Sequence, residues 1–579
     1  MGQYTIYHCH SNRSLLDSCT DYKEYADRVS ELGYKALALT EHGNAYNWVE
    51  KKMYINSKGL KYIHGVECYL TASLEEKVRD NYHTILLAKN YEGVKEINLL
   101  IDKSTQPDHR YYKPRITFEE FFNISDNVIK ISACLASPLN KYPKDIQKQI
   151  AEKSAALKQE LANKVAELEK QKNDQKAMIK WFKQFDGFEE EELPWVINGC
   201  IPGDSYLHYI EIQIDKLKQY YDNLLEEVQL MNVTARETFY KLLETYDYYE
   251  IQPHDFPEQK RYNEFLYAAS KQTGKPLIAG TDTHSIDYYK AECRSILQKA
   301  KRIEYADEDK FDLTLKTYEE LVEMFRIQNC DIPFDVILQA IENTNVMADS
   351  VTDFELDTSV KYPKLYDNEE EVLKKRIFDK LHEKIDAGII KKEKIPEYVK
   401  RIKEEMRVFK KINMIGFMLF MSELVCWCWE NGIPVGPCRG SVGGSTVAYI
   451  TDIIDVDPVI WNTIFSRFAN EDREEVGDID LDISPDQREL VYNHIIESFG
   501  YDKTAYILAI GTVSDKGTID EIGRALDIPL DEVAHIKEMY SAYKDTIEST
   551  GKRIKEIEDM IHFGEIKKAD KDSEYYGLR

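Results

Sequence analysis

Along residues 1–300, short runs of β-branched, aromatic and aliphatic residues alternate with longer segments whose apolar side chains recur at helical spacing. The runs at residues 4–7, 36–40, 62–66, 84–88, 128–132 and 276–279 predict strands. Strands separated by helices predict a parallel α/β sheet or barrel. Between about residues 141 and 184 the chain turns rich in Lys, Glu, Gln and Ala, with Ile150, Leu157, Leu161 and Leu168 in one stripe. That pattern predicts a helical insertion at the surface rather than a functional coiled coil. Residues 301–431 read as charged helices ending in an apolar stretch at 414–429. Pro434 and Gly436 then interrupt the pattern ahead of a glycine-rich run, and residues 511–579 return to charged helices.

Composition narrows the class. A chain of 579 residues, 43% hydrophobic and 31% charged, suits a globular protein of about two to four domains. A net charge of −27 argues against a generally basic surface, yet acidic clusters that bind divalent cations would add to that total, so a nucleic-acid enzyme stays open. The 10 cysteines form no regular framework and the N-terminus does not read as a signal peptide. Ser422 and Glu423 interrupt the 414–429 stretch, which is too short and polar for a membrane span. The expectation is a cytoplasmic protein that does not enter a membrane.

Metal-capable residues gather where the predicted strands end. His8 and His10 close the first run, and alternate strand residues face one side. His42 follows the second run, Glu67 the third, His83 opens the fourth, Cys134 follows the fifth, and Asp282 and His284 follow the last. In a parallel barrel these ends converge on one face. Imidazole, carboxylate and thiolate together suit Zn²⁺, Mn²⁺ or Fe²⁺ better than Mg²⁺ alone.

The segments His8-Cys9-His10-Ser11, Leu16-Asp17-Ser18, Thr40-Glu41-His42-Gly43, Gly65-Val66-Glu67 and Thr281-Asp282-Thr283-His284 resemble the PHP domain that begins bacterial C-family polymerases. The resemblance implies a distorted (βα)7 barrel and up to three metal ions, with ligands at His8, His10, Asp17, His42, Glu67, His83, Cys134, Asp282 and His284. All nine positions carry a metal-capable side chain, which implies retained phosphoester hydrolysis in the form of a 3′–5′ exonuclease. Clustered ions would lower the pKa of a water and stabilise the departing 3′ oxygen. A site that only braces the domain, or a small-molecule phosphoesterase of the histidinol-phosphatase type, are the alternatives.

A second constellation lies further along. The run Gly436-Pro437-Cys438-Arg439-Gly440-Ser441-Val442-Gly443-Gly444-Ser445 precedes a helical segment, so its backbone N–H groups can hold phosphate oxygens and Arg439 adds a cationic fork. It fits neither the Walker A nor the dinucleotide pattern. In Gly477-Asp478-Ile479-Asp480-Leu481-Asp482-Ile483, a strand would put three carboxylates on one face, where cations must offset their repulsion; two Mg²⁺ ions suit nucleotidyl transfer. An acidic edge strand facing water is the plainer alternative.

Together with Arg467-Phe468-Ala469-Asn470, Arg473, Gly511-Thr512-Val513, Lys516 and Gly523-Arg524, these segments resemble the palm of the DNA polymerase III alpha subunits, polymerase-β-like nucleotidyltransferases. By that resemblance Asp480 and Asp482 are the catalytic metal-binding pair with Asp478 beside them. Arg439, Gly440, Ser441, Gly444 and Ser445, with Lys516 and Arg524, are the nucleotide-binding residues. Cys438 departs from the family, which has glycine there. The resemblance implies a PHP domain at 1–300 with an insertion at 141–200, a helical lead-in and first part of an α+β palm at 301–510, and a helical thumb from 511 to 579. It further implies primer-template DNA, dNTPs and replisome subunits as partners, Mg²⁺ at the palm, and Zn²⁺, Mn²⁺ or Fe²⁺ at the PHP site. The family's third palm aspartate and fingers are not found, so the chain is expected to be truncated or split and completed by a second chain, and not to extend DNA alone. A non-catalytic replisome assembly module is the remaining alternative.

Overall fold

The computed structural model describes residues 2–75, 78–184, 204–303, 311–359, 364–471 and 477–562. Two compact units result, Met1–Glu355 with Val513–Arg579, and Leu356–Thr512.

In the first unit, β1 (Ala36–Leu39) runs parallel to β2 (Lys61–Thr71). Next come β3 (Tyr82–Ala88), antiparallel to β2, and β5 (Val128–Ile131), antiparallel to β3. The short β4 (Arg115–Thr117) adds to the far half of β2, and β6 (Tyr249–Ile251) runs parallel to β7 (Leu277–Ala279). Parallel bridges Ile131↔Tyr248, Cys9↔Thr283 and Ile6↔Leu37 carry the pairing from β5 to β6 and from β7 through residues 6–9 back to β1, so it returns on itself. All four residues of β1 are buried, as expected of a strand covered on both faces.

The expectation of an all-parallel sheet is corrected here. β3 runs backwards because the ten residues 72–81 are too few for a crossover, and a direct return makes an antiparallel pair. β2 also extends beyond the expected 62–66, which puts Glu67 within the strand rather than after it.

Helix Tyr22–Glu31 starts at a capping box formed by Asp21 and Glu24 and turns Tyr25, Ala26 and Val29 into the core. The insertion forms two long helices, Pro138–Gln171 and Asp204–Thr245, linked by Lys164–Tyr221 (2.8 Å) and Gln147–Asn232 (2.9 Å). Val165 and Leu168 pack on Tyr206, Ile210 and Ile214, so part of the apolar edge is covered by the same chain. Residues 185–200 of the expected insertion lie outside the described residues.

The second unit is mainly helical around Leu373, Ile377, Phe409, Met418, Leu419, Val447 and Ile450. Its apolar stretch forms helix Ile415–Glu430, in which Ser422 is buried and donates to the Thr451 carbonyl (2.7 Å), while Glu423 pairs with Arg376 (3.0 Å). Among the described residues no single helix is long and apolar enough to cross a membrane.

Candidate metal centre and nucleotide turn

The pairing of the first unit gathers its candidate ligands at one end. Backward-running β3 delivers His83 from its start to the end where the other strands finish; with a parallel β3 that residue would lie at the opposite end. Glu67 lies at the centre: His42 Nδ1 and His83 Nδ1 are each 2.7 Å from its carboxylate, His10 Nε2 is 3.4 Å away and His8 Nε2 3.7 Å. Asp282 Oδ1 lies 3.0 Å from His8 Nε2 and 3.3 Å from His10 Nε2. Asp17 Oδ2 is 2.9 Å from His42 and 3.4 Å from His284, and Cys134 Sγ is 3.7 Å from His83 Nδ1. Three overlapping trios (His10, His42, His284; His8, His10, Glu67; His42, Glu67, His83) each keep their ligand atoms within 4.8 Å of one another. All nine residues expected from the sequence meet here.

Proximity without hydrogen bonding is the telling feature. His8 Nε2, His10 Nε2, His42 Nδ1, both Glu67 oxygens and Asp282 Oδ1 are buried and make no hydrogen bond, close as they are. Unsatisfied buried polar atoms cost about 1–3 kcal/mol each. Six of them would consume a sum comparable with a whole domain's stability of about 5–15 kcal/mol. Divalent cations between nitrogen and carboxylate donors remove that cost, and the donor set fits them. Burial and the neighbouring His42 and His284 push His10 down to about 3. His42, against its own burial, is held up at about 10 by Glu67 and Asp17. The imidazoles outweigh burial to hold Asp17, Glu67 and Asp282 well below the usual carboxylate range. Left-handed backbone clusters here too, at Leu16 (φ 67°), Ala133 (φ 59°) and Asp282 (φ 47°), each a ligand or the residue before one.

Three supporting residues escaped the sequence reading. Glu250, fully buried on β6, accepts from His8 Nδ1 (2.7 Å), Tyr7 (2.9 Å) and Gln252 (2.7 Å). It thereby turns His8 Nε2 toward the centre. A lone carboxylate in the apolar run Tyr248-Tyr249-Glu250-Ile251 was the available signal. Arg294 clamps Asp17 (2.5 Å), and buried Glu41 binds Lys51 (2.6 Å) and Ser14 (2.6 Å), whose hydroxyl lies 3.1 Å from His10 Nδ1. His64 sits between Tyr62 and Asn98, and His109 between Asp108 and Glu120; neither joins the centre.

In the second unit the aspartates face the glycine-rich turn. The Gly436 N–H donates to the Asp482 carbonyl (2.9 Å), and Val435 bridges Ile483 antiparallel. The expected strand at 478–483 is reduced to this single bridge among the described residues. Arg439 reaches Asp482 (3.1 Å) and Asp480 (3.6 Å), all three partly exposed. Gly440 has φ +79°, a left-handed conformation that lets the turn pass Asp480. Behind the turn, Ser445 is buried and donates to Glu405 (2.8 Å), which also accepts the N–H groups of Thr446 (2.8 Å) and Val447 (2.9 Å). That helix start is filled by a carboxylate, and Gly444 is buried, so Arg439, Gly440 and Ser441 form the reachable surface. Lys516 and Arg524 belong to the other unit, on helix Asp515–Ala525, where Arg524 pairs with Glu521 (2.5 Å). Arg473 lies outside the described residues.

Residues 7–173 match the PHP domain family, and residues 371–575 match the family described as bacterial DNA polymerase III alpha NTPase domain. A protein of Aquifex aeolicus named DNA polymerase III subunit alpha is 26% identical over 544 residues, 90% of this chain. Its namesake in Chlamydia pneumoniae is 27% identical over 575 residues, 91% of this chain. The two family matches follow one another along the chain, and both relatives are similar to it across about nine tenths of its length. It spans about two fifths of these relatives, 40% and 41% of their lengths. In this chain the PHP match ends at residue 173, yet the fold returns Asp282 and His284 to the same centre.

Proposed function

We propose that this chain acts in DNA replication as a polymerase III alpha chain whose N-terminal centre is a divalent-metal phosphodiesterase trimming 3′ ends. The observation that carries this is the set of six buried, unsatisfied donor atoms converging from strands far apart in sequence. The first unit is read as a distorted (βα)7 barrel, supported by strand pairing that returns on itself with one strand reversed. Zn²⁺ or Mn²⁺ would be held by His8, His10, Asp17, His42, Glu67, His83, Cys134, Asp282 and His284. When bound, such ions activate water and stabilise a leaving alkoxide. The protein's own part is to aim the imidazoles, through Glu250 on His8 and Ser14 on His10, and to keep the donor atoms dry.

The turn and aspartates are read as the first part of a polymerase-β-like palm. Asp480 and Asp482 would hold Mg²⁺, with Arg439, Gly440 and Ser441 turned to the triphosphate of an incoming dNTP. Primer-template DNA is the other substrate, and a further carboxylate and fingers, supplied by a second chain or by more of the same protein, would complete the transfer site. Lys516 and Arg524 are assigned to nucleotide binding by family resemblance alone.

The metal-loaded protein should shorten single-stranded DNA from its 3′ end, and His10→Ala and Asp282→Asn should lose at least about a hundredfold in rate. Elemental analysis should find bound divalent metal in the wild type and less in the variants. Undiminished digestion by either variant overturns the assignment, while preference for histidinol phosphate over DNA would select the small-molecule reading.

A further inference from the structure

A cavity of about 250 Å³ opens beside the metal centre, lined by Asp17, His42, Tyr46, Tyr69, Arg110 and Lys113. Two candidate ligands and two cations thus share its lining. Arg110 and Lys113 are exposed and have no ion-pair partner among the described residues, in a chain of net charge −27. Unpaired cations beside a metal centre in so acidic a protein call for an anionic ligand.

The framework beneath these cations is built. His109, 5% exposed, is held by Asp108 (2.8 Å) and Glu120 (3.0 Å), and Arg115, 2% exposed, by the Val78 carbonyl (2.9 Å) and Asp80 (3.2 Å). The segment carrying the cations is therefore pinned at both ends, and β4 pairing brings it against Tyr69 on β2. Gly43 follows His42 with φ +61°, and a Cβ there would come within 2.7 Å of Pro114, so only glycine lets this segment approach the ligand loop. Lys113 Nζ stands 5.1 Å from the Tyr69 ring centre, and that ring stacks on His42 at 6.1 Å.

We infer that this cavity is the entry subsite for a single-stranded nucleic-acid 3′ end, with Arg110 and Lys113 taking the phosphodiester next to the scissile one and the Tyr46 and Tyr69 wall taking a sugar or base. Aromatic faces with flanking cations suit strands without sequence preference. The inference rests on the phosphodiesterase reading and adds what that centre accepts: a charged strand rather than a small phosphate monoester, which would leave both cations unused.

The test uses the full chain loaded with Mn²⁺, comparing wild type with the Arg110→Ala/Lys113→Ala double variant on a 5′-fluorescein oligothymidylate. Loss of the two contacts should raise KM about tenfold with kcat within about twofold, and flatten the salt dependence of binding by about one log unit per log unit of salt. Manganese content and melting temperature should stay at wild-type values. Equal KM and an equal salt slope in the two proteins would overturn the subsite. Should the wild type shorten no oligonucleotide, the phosphodiesterase reading fails, and anisotropy with a phosphorothioate-ended strand still decides the subsite: weaker binding by the double variant supports it, equal binding ends it.

Discussion

At Glu250 a single carboxylate fixes which nitrogen of His8 faces the centre. Partners of this kind typically alter metal affinity by about ten- to a hundredfold when removed. Glu250→Gln keeps the shape and loses the charge. Zn²⁺ or Mn²⁺ titration should show affinity falling by about ten- to a hundredfold, with the metal-free protein melting no lower than wild type; unchanged affinity would deny Glu250 the role. Eight of the nine candidate ligands were legible because His, Asp, Glu and Cys stand out where apolar runs begin or end, whereas Asp17 came only from the family resemblance. Glu250 was not, since a strand of three residues gives periodicity too little length to register. Ser445 shows a different limit: sequence places it at a helix start but cannot tell that Glu405, forty residues earlier in the chain, accepts its hydroxyl and the N–H groups beside it.

Among elements, the short helix Phe118–Phe122 offers a pH-dependent test. Against the cost of burial, Lys103, the Thr117 N–H and His109 hold Glu120 down at about 2, while Asp108 and Glu120 raise His109. A depressed carboxylate stabilises fully above its ordinary value of about 4.3 and loses that contribution as pH falls toward 2. The raised His109 stabilises below its ordinary value of about 6.5 and loses its share as pH rises through the folded one. Urea midpoints of wild type and Glu120→Gln should therefore differ most near pH 5 and converge only as pH falls to about 2; a constant gap would refute the linkage. Strands β1, β2, β3, β5 and β7 were readable from β-branched runs, while the expected strand at 4–7 makes only a bridge at Ile6 and β4 and β6 went unread. The direction of β3 was not readable, because a pattern of alternate burial reads the same from either end. What decides direction is the connection at 72–81, too short for a crossover.

For the molecule as a whole, a metal held by the proposed centre would stabilise only one of the two units. Chelation should lower the melting temperature of the unit that holds the centre, since occupancy at about a hundred times Kd adds about 2.7 kcal/mol to the folded state. Calorimetry with and without EDTA would read it, and a metal-free protein melting at an unchanged temperature would count against a bound ion. The order of the two units was legible because each motif set is local and the sets follow one another along the chain. Their extents were not, because the chain returns from residue 513 onward to the first unit.

The two long helices of the insertion leave the ring just after β5 and re-enter it just before β6, strands that are bridged side by side through Ile131 and Tyr248. The excursion consequently has adjacent roots, and ring closure does not depend on its length. Evolution, or an engineer, could shorten it, lengthen it or graft a foreign module there without rethreading the paired strands. Because the outgoing root begins only four residues past Cys134, any such graft would also offer a handle for sensing the metal.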